Sequence, residues 1–294
     1  MNILITGVSG FIGQHASQLL ATKHRVFGVT RGLQSSHCQS AFQLVYADLS
    51  DPGFVDLLPS NVDCIIHLAQ SSNYRNFPSS ADEIRFINID STCRLLEWAR
   101  KSNVKQFIFT STANVYGKSS DLLTESHSIH PESFYAASKL AAEYLVRQYQ
   151  SFFQIYILRL FTVYGPNQKG MLISDTIERI RTGQPITLAK GAGLYLTPIY
   201  VGDVVATLIR LIETPSKAPI NLLNVCGNRV LHLGEIVNLL EAKMGLQANI
   251  HFTQDEAPHL TGANDALKSF LSIANFTEIE AGLELTLNSG NLIR

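Results

Sequence analysis

The sequence predicts an α/β protein built on a doubly wound parallel sheet, with a smaller lobe toward the C-terminus. Strand-like runs alternate with helical stretches, several runs are continuously apolar, and a glycine-rich turn follows the first of them. Continuous apolar strands indicate a sheet that is covered on both faces. The repeated strand and helix order indicates parallel strands joined by right-handed crossovers.

The first half of the chain carries the regular part of this pattern. Its predicted strands are residues 2–6, 25–30, 43–46, 63–68, 105–110 and 154–160. The predicted helices between them are residues 12–21, 82–101 and 133–152. This order is typical of a Rossmann-type domain, which we assign to residues 1–165.

The pattern becomes less regular after Gly165-Pro166, so residues 166–294 are predicted to form mainly a smaller, substrate-binding lobe. Helices are predicted over 171–182, 203–213 and 232–244, with short strands near 186–188, 198–201 and 221–225. The segment 198–225 is expected to return to the main sheet, because its first part repeats the strand and helix order. The tail from about Asn288 lacks periodicity, and we expect it to be loosely ordered.

Composition restricts the class of protein. With 294 residues, 46% of them hydrophobic and 16% charged, the chain can bury a large core. The net charge of −1 gives no electrostatic footprint for nucleic acid or an anionic membrane. The first strand begins at Asn2, and no apolar run approaches the ~20 residues that span a bilayer. We therefore expect a cytoplasmic protein.

The cysteines are scattered and form no C-x-x-C pair; they are Cys38, Cys64, Cys93 and Cys226. This spacing predicts small buried hydrophobic residues, with neither a disulfide framework nor a metal site.

The segment Thr6 to Gly13, with the sequence TGVSGFIG, joins an apolar strand to a helix. Such a turn needs glycine at Gly7 for its backbone angles and at Gly10 for close approach of a phosphate. The helix presents unpaired N–H groups and the positive end of its dipole. We predict a dinucleotide site here, the alternative being an ordinary strand-to-helix turn. The predicted contacts are Gly7, Ser9, Gly10, Phe11 and Ile12.

Hydroxyl side chains appear abruptly at Thr110 to Thr112, where a buried strand ends. Ligands bind at that edge in open α/β sheets. Tyr135 and Lys139 follow near the start of a helix, and their spacing puts both on one face. A cation beside a phenol favours the phenolate and lowers its pKa toward neutral. We predict that Tyr135 is the acid and base, that Lys139 supplies the charge, and that Thr112 holds the substrate oxygen.

These motifs together resemble the extended short-chain dehydrogenase/reductase family, the NAD(P)-dependent nucleotide-sugar epimerases and dehydratases, over nearly the whole chain. Further matching residues and segments are Asp48-Leu49, His67-Leu68-Ala69, Asn88, Leu158-Arg159, Val163 to Pro166, Ile199 to Val204 and Asn224 to Gly227. The resemblance implies chemistry by Thr112, Tyr135 and Lys139. It also implies a homodimer that pairs through the helices 82–101 and 133–152.

The resemblance implies that the aspartate at position 48 contacts adenine and that the segment at 68 and 69 lines the cofactor cleft. The residues it adds to the predicted cofactor site are Asp48, Leu49, Leu68, Ala69, Tyr135 and Lys139. From the residues alone, Asp48 could equally cap its own turn. His67 ends an apolar strand and is expected to be a core histidine without a catalytic role.

The end of the second strand bears on the choice of dinucleotide. NAD sites usually place an acid there, whereas NADP sites place an arginine for the 2′-phosphate. No acid occurs between Gly13 and Asp48, and Arg31 lies at this position with Ser35 and Ser36 nearby. We therefore predict NADP, with NAD as the alternative cofactor. The alternative interpretation of Arg31 is an ordinary solvated loop arginine.

The chain also departs from the family pattern. Thr162 stands where nucleotide-sugar members carry Asn, and Leu196 stands where they carry an Arg that holds the diphosphate. If a diphosphate binds, its contacts must come from other donors, such as Lys169, Arg179, Arg181, Lys190 or the backbone of residues 191–193.

Thr112 is followed by Ala113-Asn114, without the acid pair of 4,6-dehydratases. The remaining activities are a UDP-glucose 4-epimerase-like reaction, reduction of a 4-keto sugar, and reduction of a non-nucleotide carbonyl compound. A catalytically idle dinucleotide sensor is the rival from another class. The intact Thr112, Tyr135 and Lys139 argue against it.

Overall fold

The computed structural model describes residues 1–32, 41–214, 216–271 and 276–288. Ser35, Ser36, Cys38 and the tail beyond Asn288 lie outside this range, and so do the predictions made for them. The chain forms two compact units. The first comprises Met1–Gly117, Ile129–Arg159 and Val205–Leu223, and the second comprises Lys118–Ser128, Leu160–Val204 and Asn224–Arg294.

The predicted helices and strands follow one another along the chain in the predicted order, and the second half contains further short elements that the sequence pattern does not indicate. The strands are β1 (Asn2–Thr6), β2 (Arg25–Thr30), β3 (Gln43–Tyr46), β4 (Cys64–His67), β5 (Gln106–Thr112), β6 (Gln154–Leu160), β7 (Val163–Tyr164), β8 (Pro185–Ala189), β9 (Tyr195–Leu196), β10 (Ile199–Tyr200), β11 (Ile220–Val225), β12 (Leu231–His232), β13 (Asn249–Thr253) and β14 (His259–Leu260). The helices are α1 (Phe11–Leu20), α2 (Ala81–Arg85), α3 (Ser91–Lys101), α4 (Phe134–Arg147), α5 (Leu172–Thr182), α6 (Val201–Glu213), α7 (Leu233–Met244), α8 (Asp265–Leu271) and α9 (Ile279–Asn288).

A seven-stranded sheet with the order β11-β6-β5-β4-β1-β2-β3 forms the centre of the fold. The strands from β5 to β3 pair in parallel, and the bonds Ile155 N to Pro219 O and Phe161 N to Val225 O continue this direction to β11. The strand order changes direction at β1 and β4, which is the switch point where ligands bind in open α/β sheets. The predicted Rossmann-type fold is confirmed.

Burial on both faces explains why the central strands are continuously apolar. Ile3, Leu4 and Ile5 of β1 and Ile65 and Ile66 of β4 are all completely buried. In the parallel register of these strands, Thr6 lies opposite His67 at their carboxyl ends. Polar side chains therefore follow the apolar residues at the carboxyl ends of β1 and β4.

The predicted helix 82–101 is interrupted. Between α2 and α3 the residues Phe86–Asp90 form a π-helical turn, which holds the buried Asn88. The Oδ1 atom of Asn88 accepts a hydrogen bond from the Ser71 N–H at 3.0 Å, and its Nδ2 donates to Ser138 Oγ at 2.8 Å. The hydrophobic periodicity of 82–101 does not by itself reveal this turn. The predicted helix 133–152 likewise ends earlier, at Arg147.

The second unit has its own apolar core, to which α5, α7 and α9 contribute. In it, β9 pairs with both β12 and β14, β8 pairs with β13, and β7 pairs with β10. Across the described ranges of both units, no helix has the length and apolarity needed to cross a membrane.

Candidate active site

The glycine-rich turn has the backbone geometry that the sequence predicts. Gly7 has a φ of +73°, and a Cβ atom there would lie 2.8 Å from the Ala69 nitrogen. The Gly10 N–H donates to the Gly7 carbonyl at 2.9 Å and closes the turn. Helix α1 then begins at Phe11, and the N–H groups of its first turn have no acceptor within the helix. The turn can therefore present N–H groups to a phosphate.

A cavity of about 290 Å³ opens beside this turn, at the carboxyl edge of the sheet. The predicted cofactor residues that line it are Gly7, Ser9, Gly10, Arg31, Leu49, Leu68 and Ala69. Phe11, Ile12, Asp48, Tyr135 and Lys139 do not line it. The cavity, the glycine turn at its wall and the helix N-terminus together fit a dinucleotide phosphate group.

The loop after β4 supplies cavity residues that the sequence does not predict; they are Gln70, Ser71, Ser72 and Tyr74. Their place directly after Leu68-Ala69, at the end of a central strand, is the signal that could have found them. Glu83 holds this loop, because its carboxylate accepts from Ser71 Oγ at 2.8 Å and from Asn73 Nδ2 at 2.7 Å. These two bonds lower the pKa of Glu83, to which Arg31 adds a smaller effect.

Asp48 caps its own turn. Its Oδ1 atom accepts from the Ser50 N–H at 2.9 Å and from Ser50 Oγ at 2.8 Å. The neighbouring Leu49 is buried and lines the cavity. The structure thus shows the capping role that the residues alone allowed, and adenine contact by Asp48 stays a prediction.

Tyr135 and Thr112 are brought together. The Tyr135 hydroxyl donates to Gln70 Oε1 at 2.8 Å, and Thr112 lies near enough to affect the pKa of Tyr135. Thr112 Oγ1 accepts the Asn114 N–H at 3.2 Å. The ring of Tyr74 lies 4.7 Å from the Tyr135 ring, centre to centre. One hydroxyl, one amide and one aromatic ring therefore lie near the Tyr135 phenol.

Lys139 lies one helical turn beyond Tyr135 and is only 2% exposed. Its Nζ atom is 4.3 Å from the centre of the Phe109 ring. Burial lowers the pKa of Lys139 to about 7, although Glu143 acts in the opposite direction. The lysine therefore exchanges its proton near neutral pH.

The expected lowering of the Tyr135 pKa by Lys139 stays a prediction. Burial raises the pKa of Tyr135 in this structure, and neither Thr112 nor any charge offsets this effect. The physical reason is desolvation, which disfavours the charged form of both groups. Sequence spacing places the two residues on one face but does not show how deeply they are buried.

His67 is a core histidine, as expected. It is completely buried, with Nδ1 2.6 Å from Thr6 Oγ1 and Nε2 2.9 Å from Thr92 Oγ1. Burial lowers the pKa of His67 to about 3, with a further contribution from Lys139. The ring is therefore neutral at physiological pH, and both of its nitrogens have partners.

The second unit explains one departure from the family pattern. Leu196 is completely buried in β9, so its position offers nothing to a phosphate. Three of the alternative donors have protein partners: Arg179 donates to the Pro185 carbonyl at 2.6 Å, Arg181 pairs with Glu178 at 2.7 Å, and Lys190 pairs with Glu256 at 3.3 Å. A diphosphate would have to compete with these contacts.

The sheet order and the glycine turn define a Rossmann-type dinucleotide-binding protein. Comparison with known proteins narrows the class. The model of the NAD dependent epimerase/dehydratase family matches residues 3–226, and the chain belongs to this family. It is therefore an enzyme of the epimerase and oxidoreductase type that uses a nicotinamide dinucleotide.

Among curated proteins, the chain is 29% identical to the Bacillus subtilis (strain 168) protein named uncharacterized UDP-glucose epimerase YtcB, over 96% of each chain. Among solved structures, it is similar to UDP-glucuronic acid 4-epimerase from Bacillus cereus in complex with UDP-glucuronic acid and NAD. That similarity has 26% identity, a TM-score of 0.89 and full coverage of both chains. MoeE5 in complex with UDP-glucuronic acid and NAD has 25% identity, a TM-score of 0.89 and 99% coverage of both chains.

Proposed function

We propose that this enzyme acts on a nucleotide-sugar, as a 4-epimerase or as a reductase of a 4-keto sugar. The observation that carries the proposal is the Tyr135 hydroxyl, which donates to Gln70 Oε1 at 2.8 Å, where Gln70 lines the cavity beside the glycine turn. The similar solved structures, which contain UDP-glucuronic acid and NAD, support this substrate class.

In this proposal Thr112 and Tyr135 have separate roles. When bound, the dinucleotide accepts a hydride from the sugar carbon or returns one to it. Thr112 holds the oxygen on that carbon by a hydrogen bond. Tyr135 takes the hydroxyl proton as the carbonyl forms and gives it back when the carbonyl is reduced, which is general acid and base catalysis.

Lys139 acts on the same proton from one turn away. A lysine with a pKa of about 7 is protonated in part of the molecules at neutral pH. Its protonated form favours the Tyr135 phenolate, because an opposite charge nearby stabilises the charged form of a group. We assign it this electrostatic role.

For the cofactor, we propose that Arg31 favours NADP over NAD. Arg31 lines the cavity at the end of β2, where a 2′-phosphate is recognised in this fold. No acidic residue lies between Gly13 and Asp48 to bind a free 2′-hydroxyl. The similar structures contain NAD, so the proposal rests on this chain's own residues.

We further propose a homodimer that pairs through the helices of segments 82–101 and 133–152. Large aromatic side chains on or beside these helices are exposed, with Tyr144 58% and Phe86 41% accessible. Exposed apolar groups of this size are a common feature of interaction surfaces. Light scattering of the purified protein tests the mass of the assembly.

A second candidate function is reduction of a carbonyl compound that carries no nucleotide. The burial of Leu196, in place of a diphosphate-binding arginine, favours it. A nucleotide-sugar that binds without that arginine is expected to bind modestly or with strong salt dependence.

A thermal-shift panel distinguishes the two functions. UDP-, GDP-, CDP- and dTDP-sugars are added to the protein with NADP(H) present, because a ligand that binds only the folded state raises the unfolding temperature. A clear shift with one nucleotide series supports the nucleotide-sugar function. No shift with any series, together with oxidation of NADPH by simple aldehydes or ketones, supports the second candidate.

A further inference from the structure

The hydroxyl of Tyr135 is a hydrogen-bond donor in this structure. A backbone N–H can only donate, so the 3.2 Å bond from Asn114 makes Thr112 Oγ1 an acceptor. The Tyr135 proton then points to Gln70 Oε1, at 2.8 Å. Gln70 is thus the acceptor of the hydrogen bond that the Tyr135 hydroxyl donates.

Gln70 lies on a loop that is fixed on both sides of it. The Ala69 N–H donates to Thr6 Oγ1 at 3.3 Å, and the Ser71 N–H donates to Asn88 Oδ1 at 3.0 Å. A loop with bonded neighbours at positions 69 and 71 has little freedom to move residue 70 away.

The same buried asparagine also fixes the helix that carries Tyr135. Asn88 Nδ2 donates to Ser138 Oγ at 2.8 Å, and Ser138 Oγ donates to the Tyr135 carbonyl at 2.7 Å. Asn88 therefore connects the backbone of the Gln70 loop to the backbone of Tyr135. This network therefore restrains the distance between the Gln70 amide and the phenol oxygen.

A side-chain amide can serve a phenol in both of its states. Its oxygen accepts from the neutral hydroxyl, and after rotation by half a turn its NH₂ group donates to a phenolate. A carboxylate at the same position could only accept, and an aliphatic side chain could do neither. Gln70 also lines the cavity proposed for the dinucleotide, so its amide lies beside the site proposed for proton transfer by Tyr135.

We propose that Gln70 is a positioning residue of the proton-transfer site, whose amide holds the Tyr135 oxygen as an acceptor before proton release and as a donor afterwards. The inference rests on the proposed role of Tyr135 as acid and base. The amide itself gives and takes no proton: the proton that Tyr135 gains is the one that the substrate hydroxyl loses.

The other groups facing this phenol come from three elements. Thr112 approaches from β5, Tyr74 from the same loop as Gln70, and Lys139 lies one turn along α4. Lys139 and Tyr74 are the titratable groups of this set. A substitution at Gln70 leaves all of them in place, so a change in the titration of Tyr135 reports on the amide.

The experiment uses difluorotyrosine incorporated at position 135 of the full chain. Fluorination makes the phenol more acidic, which brings its titration into the pH range where the protein stays folded, and the ¹⁹F resonance reports on that residue alone. Gln70→Leu removes both hydrogen-bonding functions and Gln70→Glu keeps only the acceptor. Gln247→Leu is the matched control, because Gln247 is an exposed glutamine outside the site residues and outside the proposed dimer helices.

We expect the midpoint to rise by about half to one pH unit in Gln70→Leu, because a hydrogen bond to the charged phenolate contributes more than one to the neutral hydroxyl. It should rise further in Gln70→Glu, because a carboxylate repels the phenolate, and stay at the wild-type value in Gln247→Leu. Equal midpoints in wild type, Gln70→Leu and Gln70→Glu would overturn the inference.

A separate assay of Tyr135→Phe keeps the two proposals apart. Loss of turnover in Tyr135→Phe with unchanged midpoints in the Gln70 variants would reject only the role of Gln70. Full turnover in Tyr135→Phe would reject the acid and base function of Tyr135. In that case a midpoint shift in the Gln70 variants would have no bearing on catalysis.

Discussion

Arg159 donates two hydrogen bonds to Glu143, from Nε to Oε1 at 3.0 Å and from Nη2 to Oε2 at 2.7 Å. Both side chains are almost completely buried, at 3% and 1% exposure. The pair joins β6 to α4, the helix that carries Tyr135 and Lys139. A bidentate pair of this kind fixes the orientation of the helix, because both partners of the fork must be aligned.

We expect Glu143→Gln to lower the free energy of unfolding by about 3–5 kcal/mol, because it leaves the Arg159 charge buried without its counter-charge. Urea denaturation of the two proteins measures this difference. Arg181→Met is the control, since Arg181 and Glu178 form an exposed pair, at 55% and 59%, whose loss should cost less than about 1 kcal/mol. Equal losses in the two variants would mean that the buried pair contributes no more than a surface one.

The lowered pKa of Lys139 predicts a pH dependence of stability. Lysine in the unfolded chain keeps its proton up to about pH 10.4, whereas the folded protein releases the Lys139 proton near pH 7. Between these values the unfolded state binds more protons, so the contribution of Lys139 to the free energy of unfolding rises with pH. The rise is up to about 1.4 kcal/mol per pH unit.

Other groups titrate in the same range, so the test compares two proteins. Burial raises the pKa values of Cys64 and Cys226, which lowers stability as the pH rises through the range where unfolded thiols ionise. Subtracting the urea-denaturation values of Lys139→Met from those of the wild type removes these shared contributions. The difference should increase from pH 7 to pH 9. A difference independent of pH would show that Lys139 keeps its proton in the folded state.

The strands were predictable because each one follows from a continuous run of apolar residues in the sequence. Residues 2–6, 25–30 and 43–46 are strands in the structure with the bounds predicted from their apolar pattern. The same reasoning identified His67 as a core residue, since it ends such a run. Apolar runs fix the position of a strand because both faces of this sheet are buried.

The rest of the candidate site depends on contacts between distant segments. Tyr135 and Gln70 are 65 residues apart, and no local pattern connects them. The raised pKa of Tyr135 and the lowered pKa of Lys139 come from burial, which spacing along a helix does not measure. The π-helical turn around Asn88 is likewise not apparent from the helical periodicity of the segment. Sequence motifs therefore identify which residues are candidates for the reaction, but they do not give the electrostatic environment of those residues.

Gly7→Ala tests the glycine-rich turn. The φ of +73° and the approach to Ala69 leave no room for a Cβ atom, so we expect a loss of about 1–3 kcal/mol in stability and weaker dinucleotide binding. Gly32→Ala is the matched control, because nothing lies within 4 Å of a Cβ atom there. Its stability should change by less than about 0.5 kcal/mol. Thermal unfolding and calorimetry measure the two effects, and a Gly7→Ala protein with wild-type affinity would contradict the assigned turn.

Arg31→Ala tests the preference for NADP. A hydrogen bond to a charged group contributes roughly 1.5–3 kcal/mol, so the affinity for NADP should fall about tenfold or more, and that for NAD should change little. Arg25→Ala, at the other end of β2, should leave both affinities unchanged. Calorimetric titration with each dinucleotide gives these values. Tighter binding of NAD than NADP to the wild type would reject the proposal.

The central claim is that Tyr135 moves a proton during oxidation or reduction at a nucleotide-sugar carbon. The most direct measurement follows a panel of nucleotide-sugars by ¹H NMR, with dinucleotide and with either the wild type or Tyr135→Phe. We predict that the wild type converts one member to its 4-epimer, or reduces its 4-keto form. Tyr135→Phe should still bind the dinucleotide but react about 10²–10⁴-fold more slowly, the usual contribution of a positioned acid or base. Conversion by Tyr135→Phe at the wild-type rate, or reduction of simple carbonyl compounds by a wild type that converts no nucleotide-sugar, would contradict the account.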